Sequence, residues 1–254
     1  MRRVFITGAS AGIGAALARR YASANTSIGL FARRRDLLEN LVASLPGRTA
    51  IYASDIADTA AIASAAQDFI ARFGAPDLVI ANAGISVGTH GDELQDVEKL
   101  QRVLSVNVTG LAATLAAFAP SMRAAGEGTL CGIASVAGFR GIPGAGAYSS
   151  SKAAAIAWLE ALRNELAGSG VSVVTICPGY IDTPMTQVNK YRMPFLISAD
   201  DAAARFARAI AARRRLAVIP WQMALVSLLL RFLPGALYDR LASRAPRKPR
   251  DLPL

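Results

Sequence analysis

The hydrophobic positions of this 254-residue chain fall into short apolar runs that alternate with longer segments of helical spacing. Arg2 to Thr7 (RRVFIT) is a β-branched and aromatic run, and a helical pattern follows from Ala15 to Ala24. The same change of period recurs. Ser27 to Ala32 (SIGLFA) and Thr49 to Ala53 read as strands, the second leading to a helix that opens near Asp58. Leu78 to Ile80 precedes a long helical region from Glu93 to Ala125, and Gly128 to Ala134 (GTLCGIA) precedes an Ala-rich helix running on from Tyr148. Val171 to Cys177 (VSVVTIC) and Ala217 to Ile219 complete the set of strands. Strands that alternate with helices in this way predict a doubly wound α/β domain with a parallel sheet.

Composition narrows the chemistry. At 53% hydrophobic residues, the chain can bury one substantial core, so a single domain with an appendage is the simplest organisation. The net charge of +10 points to anionic partners, but the arginines are dispersed and no nucleic-acid-binding motif occurs, which argues against nucleic acid. One histidine, His90, in a Gly-rich loop, and two separated cysteines offer no metal-ligand set. Cys131 and Cys177 each fall in an apolar strand-like run and read as small buried hydrophobes. Residues 1–6 lead straight into a strand with no signal-peptide pattern, so a cytoplasmic location is expected.

The polar residues that matter stand at strand ends. After the first strand comes GASAGIG, which puts Gly8, Ser10, Gly12, Ile13 and Gly14 in a strand-to-helix turn. There the backbone can approach a phosphate, and helix N–H groups and dipole favour negative charge. The second strand ends in Arg33 and Arg34, with Ala32 where an acidic residue would bind a ribose 2′-hydroxyl. Arginines there favour a 2′-phosphate, hence NADP over NAD; the alternative is a solvated basic helix start. Asp55 is placed either to meet an adenine edge or to cap the following helix. Ala81 to Gly84 (ANAG) is a small-residue turn. Asn107, an amide in an apolar helical stretch, either caps or kinks the helix or serves a site.

Ser135 ends a strand, while Tyr148 and Lys152 share one helix face. A lysine ammonium one turn from a phenol stabilises the phenolate and lowers its pKa, so that the tyrosine can exchange a proton with a carbonyl oxygen held by the serine hydroxyl. Tyr-x-x-x-Lys alone fits an exposed helix start equally well. The surrounding motifs decide between the two.

Together TGASAGIG at Thr7 to Gly14, ANAG at Ala81 to Gly84, NVTG at Asn107 to Gly110, Ser135, YSSSK at Tyr148 to Lys152 and PGYIDTPM at Pro178 to Met185 resemble the short-chain dehydrogenase/reductase family, NADP-preferring branch. They stand in the family's order across about residues 4 to 185. The resemblance implies a Rossmann-type fold and a catalytic tetrad of Asn107, Ser135, Tyr148 and Lys152. It further implies that Lys152 holds the nicotinamide ribose and that Asn107 positions a relay water. Cofactor contacts are implied for the glycine turn, for Asn82, Ala83 and Gly84, and for Pro178, Gly179, Ile181 and Thr183. Many NADP-using relatives carry a basic residue where this chain has Ala11, so the phosphate preference rests on Arg33 and Arg34.

The implied activity is NADP(H)-dependent hydride transfer at a carbonyl or secondary alcohol carbon of a small-molecule substrate. An NADPH-binding regulator, and an isomerase or epimerase using the same site, stand as alternatives. Residues 1–220 form the expected catalytic domain, with 186–198 as its substrate loop, and 221–254 form a C-terminal helical extension. Pro220, Gln222, Ser227 and Arg231 interrupt the apolar run from Leu216 to Leu233, which argues against a membrane span. Two readings of the greasy helix from Trp221 remain. In one it packs on the substrate loop or on a partner subunit of a homo-oligomer; in the other, 221–250 with its basic tail lies on an anionic membrane surface and admits lipid-like substrates.

Overall fold

The computed structural model describes residues 1–244 and 247–252. In chain order the first half holds β1 (Arg2–Thr7), α1 (Gly12–Tyr21), β2 (Thr26–Ala32), α2 (Arg35–Val42), β3 (Arg48–Ala53), α3 (Thr59–Phe73) and β4 (Leu78–Ala81). Then come α4 (Asp96–Leu104), a π-helical segment (Ser105–Thr109), α5 (Gly110–Ala125), β5 (Gly128–Ile133), a 3₁₀ turn (Val136–Gly138), α6 (Gly146–Glu165) and β6 (Val171–Pro178). The remainder is β7 (Ile181–Asp182), α7 (Pro184–Gln187), β8 (Ile197–Ser198), α8 (Ala199–Ala211), β9 (Leu216–Ile219), α9 (Trp221–Phe232) and α10 (Gly235–Ala242).

The main sheet has seven parallel strands in the order β3-β2-β1-β4-β5-β6-β9, the doubly wound arrangement expected from the alternation of elements. Because strand side chains alternate, each central strand feeds both faces. Val4, Ile6, Leu78 and Ile80 join one core layer beneath α1, α2 and α8, while Phe5, Val79 and Ala81 join the other beneath α3, α5 and α6. The second layer is organised by aromatic rings: Phe5 lies 4.6 Å from Phe118 and 5.5 Å from Phe69, centroid to centroid. Strand order reverses between β1 and β4, which opens a crevice at their carboxyl ends.

Several boundaries differ from the sequence expectation, each for a physical reason. The first helix begins at Gly12, since Ala11 already adopts an extended N-cap conformation. The long central helix starts at Asp96 and carries a π-helical insertion at Ser105–Thr109, so Asn107 sits where the ladder is widened. Segment 186–198 is not wholly irregular: Thr186 and Gln187 belong to α7, and β8 pairs in parallel with β7. Asp96–Ala125 is long and apolar enough to cross a membrane by length and composition, but half of its most apolar window is buried in this fold. The shorter apolar helix α9 buries only Met223 and Ser227 and leaves Trp221, Leu225, Leu228, Leu229 and Phe232 outward, each at least 56% exposed.

The aromatic layer predicts a stability effect. Phe118 is fully buried among Phe5 and Phe69, so Phe118→Ala should cost about 3–5 kcal/mol, read as a lowered denaturant midpoint at unchanged slope.

Candidate active site

The glycine turn between β1 and α1 is shaped by contact as well as conformation. Gly8 and Gly12 have positive φ, and a side chain on Gly14 would overlap the Gly8 carbonyl, so α1 closes directly onto the end of β1. Gly14 therefore serves packing and does not line the cleft. The N-terminus of α1 has no side-chain cap and no acidic residue in its first turn, which leaves its N–H groups available to an anion.

Next to the turn, polar side chains tie the crevice together. The Thr7 hydroxyl accepts from the N–H groups of Asn82 and Ala83, each at 3.1 Å, and Asn82 Nδ2 donates to the carbonyls of Thr7 at 3.0 Å and Gly8 at 3.3 Å. Thr7 was not among the expected site residues. A buried threonine ending an apolar strand was its only sequence signal.

A cleft of about 310 Å³ runs along these strand ends. Gly8, Ser10, Gly12, Ile13, Arg33, Arg34 and Asp55 line one side. Asn82, Ala83, Gly84, Ser135, Tyr148, Lys152, Pro178, Gly179, Ile181 and Thr183 line the rest. Of the expected residues only Gly14 and Asn107 are not on its wall. Ser54, Ile56, Ile85, Val106, Met185 and Thr186 line it without having been expected.

Arg33 and Arg34 are exposed at the mouth, and Arg34 donates to Ser10 Oγ at 3.2 Å. Among the described residues neither pairs with a carboxylate, whereas Arg35 turns away to Glu39 along α2. Of the two readings of Asp55 the helix cap falls, while the residue does stand on the cleft wall. Asp58, not Asp55, caps α3, while Asp55 accepts from Ala57 N–H at 2.9 Å and from Arg102 at 2.6 Å. Although burial opposes it, these bonds bring its pKa below the ordinary carboxylate value. Arg102 was missed because it lies far along the chain, on α4.

Ser135 caps the 3₁₀ turn, its hydroxyl accepting from Ala137 N–H at 3.1 Å. Lys152 is 4% exposed; its Nζ donates to the Ile133 carbonyl at 2.9 Å and stands 5.7 Å from the centre of the Tyr148 ring. Burial lowers the lysine pKa to about 8. For Tyr148, burial outweighs the opposing pull of the Ser135 hydroxyl and raises the phenol pKa, so the expected lowering by the lysine is not what this environment produces. Cys177, fully buried nearby, is pushed up to about 12 by burial and stays a thiol.

Asn107 is fully buried behind Gly84. Its Oδ1 accepts from Ile85 N–H at 2.8 Å, and Nδ2 donates to the Ile85 carbonyl and to Ser151 Oγ, each at 3.0 Å. The side chain thus holds the strand-end loop to the helix that carries Tyr148 and Lys152. Chemically, the arrangement brings a hydroxyl, a phenol and an ammonium to one end of a cleft whose other end presents helix N–H groups and two guanidinium groups.

Residues 2–193 match the family model for short chain dehydrogenases. An uncharacterized oxidoreductase of Myxococcus xanthus (strain DK1622) is 36% identical over 246 residues, covering 96% of this chain and 97% of that protein. The 2-dehydro-3-deoxy-L-rhamnonate dehydrogenase (NAD(+)) of a Sphingomonas species (strain SKA58) is 35% identical over 184 residues, 72% of this chain and 74% of its own. Among solved structures, an alcohol dehydrogenase of the archaeon Thermococcus sibiricus complexed with 5-hydroxy-NADP has 28% identity and a TM-score of 0.75, covering 86% of this chain and 95% of that one.

The buried lysine carries a stability cost with a definite pH sign. Its folded pKa, about 8, lies below the ordinary lysine value of 10.5, so the cost is full below about pH 8 and disappears as pH rises toward the unfolded value. Lys152→Met should therefore raise the calorimetric midpoint by a few degrees at pH 7, and the gain should shrink as pH approaches 10.

Proposed function

The chain belongs to the short-chain dehydrogenase family and is an oxidoreductase of alcohol and carbonyl groups, and on that premise we propose that it is an NADP(H)-dependent carbonyl reductase with Tyr148 as general acid. One observation carries the reading: Ser135, Tyr148 and Lys152 open into the same cleft as the uncapped start of α1 and as Arg33 and Arg34, which pair with no carboxylate among the described residues. Such a cleft fits a phosphorylated dinucleotide. The N–H groups of α1 suit a diphosphate, and the guanidinium groups suit a ribose phosphate. Bound there, the nicotinamide would supply or accept the hydride.

The chain's own residues account for the proton. Ser135 donates a hydrogen bond to the substrate carbonyl oxygen and fixes its direction. With its pKa raised by burial, Tyr148 is protonated at neutral pH and can give its proton to the same oxygen as charge develops there. Lys152, a cation below about pH 8, stands close enough to favour the phenolate left behind and can hold a ribose hydroxyl through its remaining hydrogens. Asn107 acts one layer back, by fixing the loop after β4 against α6.

Fluorescence titration with NADPH and NADH, then nicotinamide absorbance against a panel of ketones and aldehydes, tests this directly. Tyr148→Phe should lower turnover by roughly 10²–10⁴-fold while NADPH still binds. Near-normal turnover would remove the tyrosine from proton transfer. Arg33→Ala should weaken NADPH by roughly ten- to a hundredfold, the scale of one charge-assisted hydrogen bond, and leave NADH nearly unchanged. Equal losses for both would mean that the arginine does not read the phosphate.

The outward stripe of α9 favours a second element of function. Trp221, Leu225, Leu228, Leu229 and Phe232 stand at helical spacing on the exposed side, Leu237 and Leu241 continue it on α10, and Arg231, Arg240 and Arg244 are exposed beside it. An apolar face with a cationic margin suits an anionic bilayer surface. Vesicles containing anionic lipid should sediment the protein, and Leu228→Glu with Phe232→Glu should return it to the supernatant. Equal recovery from neutral and anionic vesicles, or self-association in their absence, would overturn the membrane assignment.

A further inference from the structure

Beyond the residues that match the family model, the C-terminal segment Arg247–Leu252 folds back over the protein. Its contacts fall on three segments that frame the Tyr148 end of the cleft. The Pro249 carbonyl accepts from Gly88 N–H at 2.9 Å, in the loop that continues from the cleft-lining residues after β4. A side chain on Gly88 would overlap the Lys248 carbonyl, so this glycine is what lets the tail lie so close. Arg247 covers Gly144, in the connection between Ser135 and Tyr148. Lys248 reaches across to the third segment, donating from Nζ to the carbonyl of Met185, itself part of the cleft wall. That bond is 3.1 Å.

The tail is anchored as well as laid down. Arg250 meets Asp96 at 3.0 Å, and that carboxylate, only 3% exposed, also accepts from His90 N–H at 2.8 Å and pairs with Lys99 at 2.8 Å. Leu252 packs against a small cluster of Val87, Val103 and Ala147, which joins the loop after β4 to α4 and the start of α6. Holding a polar tail this way opposes the entropy of a free terminus, and the buried ion pair and apolar contact offset it. Lys248 makes no ion pair among the described residues, so its ammonium is committed to a backbone carbonyl at the cleft wall.

We propose that Arg247–Leu252 is a specificity-determining strap that walls the substrate end of the cleft, with Lys248 positioning Met185, so that the site takes compact carbonyl compounds and excludes long-chain ones. The exclusion follows from the span. The strap runs from Gly88 and Gly144 to Met185 on the cleft wall, so a long chain leaving the site on that side would have to displace it. This rests on the oxidoreductase reading, and the strap's placement outside the family-matched residues makes it a property of this chain's extension.

Amide hydrogen exchange and a pair of ketones, one short and one long-chain, test the strap in the full-length protein. Lys248→Ala removes the latch, and Gly88→Ala displaces the tail without changing a charge. Both should speed exchange at 86–90 and 184–188. Both should raise kcat/KM for the long-chain ketone by roughly tenfold relative to the short one. Lys248→Arg should behave like the parent. Exchange at the parental rate in both variants, or parallel changes for the two ketones, would overturn the strap. The exchange readout needs no turnover, so a failure to reduce any ketone while exchange still responds would count against the oxidoreductase reading alone.

Discussion

A parallel sheet satisfies its backbone along the strands and abandons it at their ends. At the reversal between β1 and β4 no neighbouring strand continues the ladder, and the buried peptide groups there need other partners. Thr7, Asn82 and Asn107 supply them. The threonine hydroxyl accepts two N–H groups from the turn after β4, the Asn82 amide serves two carbonyls of the glycine turn, and Asn107 takes both polar groups of Ile85. Thr7 and Asn107 make these bonds from behind the wall and Asn82 makes them on it, so the backbone that faces the cleft is tied down at both β1 and β4. The crevice is a consequence of topology; its rigidity is a consequence of three side chains.

The charged groups are arranged on that rigid wall with opposite treatments at the two ends. At the mouth, Arg102 satisfies Asp55, which is among the described residues the one carboxylate on the cleft wall, and among those residues Arg33 and Arg34 have no acidic partner, so the local field is positive. At the inner end, Lys152 is desolvated and held by a single carbonyl, and the phenol of Tyr148 is made harder to ionise. Both groups are thereby drawn toward their neutral forms, which sharpens the response of each to a nearby charge or hydrogen bond. Screening by water is weak there, so small displacements of a polar partner have large effects. Cys177, a thiol beside the lysine, adds bulk without taking up the charge.

Much of this was legible in the sequence because it depends on local pattern. Apolar runs broken by changes of period gave the strands and their parallel arrangement, and small or polar residues immediately after those runs marked the strand ends from which the cleft is built. The residues that escaped notice act across distance. Arg102 meets Asp55 only because α4 passes the end of β3, and Arg250 meets Asp96 only because the tail returns. The widening at Ser105–Thr109 was also invisible: Val, Asn and Thr in that stretch are compatible with an ordinary helix turn, and the bond from Ile85 N–H to Asn107 comes from a distant segment. Reading the lysine as a device that lowers the tyrosine pKa assumed solvent-like surroundings. Burial changes the balance, and burial is not a local property of Tyr-x-x-x-Lys.

The extension was expected to begin at a boundary after residue 220, yet the physical contacts run through that boundary. Met223, on the inner face of α9, occupies the space that a side chain on Gly179 would need, and Gly179 lines the cleft. The same extension holds the connection before Tyr148 at a second point, where Tyr238 donates to the Gly141 carbonyl and Arg140 stands 4.3 Å over the Tyr238 ring. α9, α10 and the returning tail thus each contact the cleft wall or the segment between Ser135 and Tyr148. The outer face of α9 is a stripe of exposed leucine and aromatic side chains. The same helix therefore packs against the cleft wall at Gly179 on one side and presents its apolar stripe on the other.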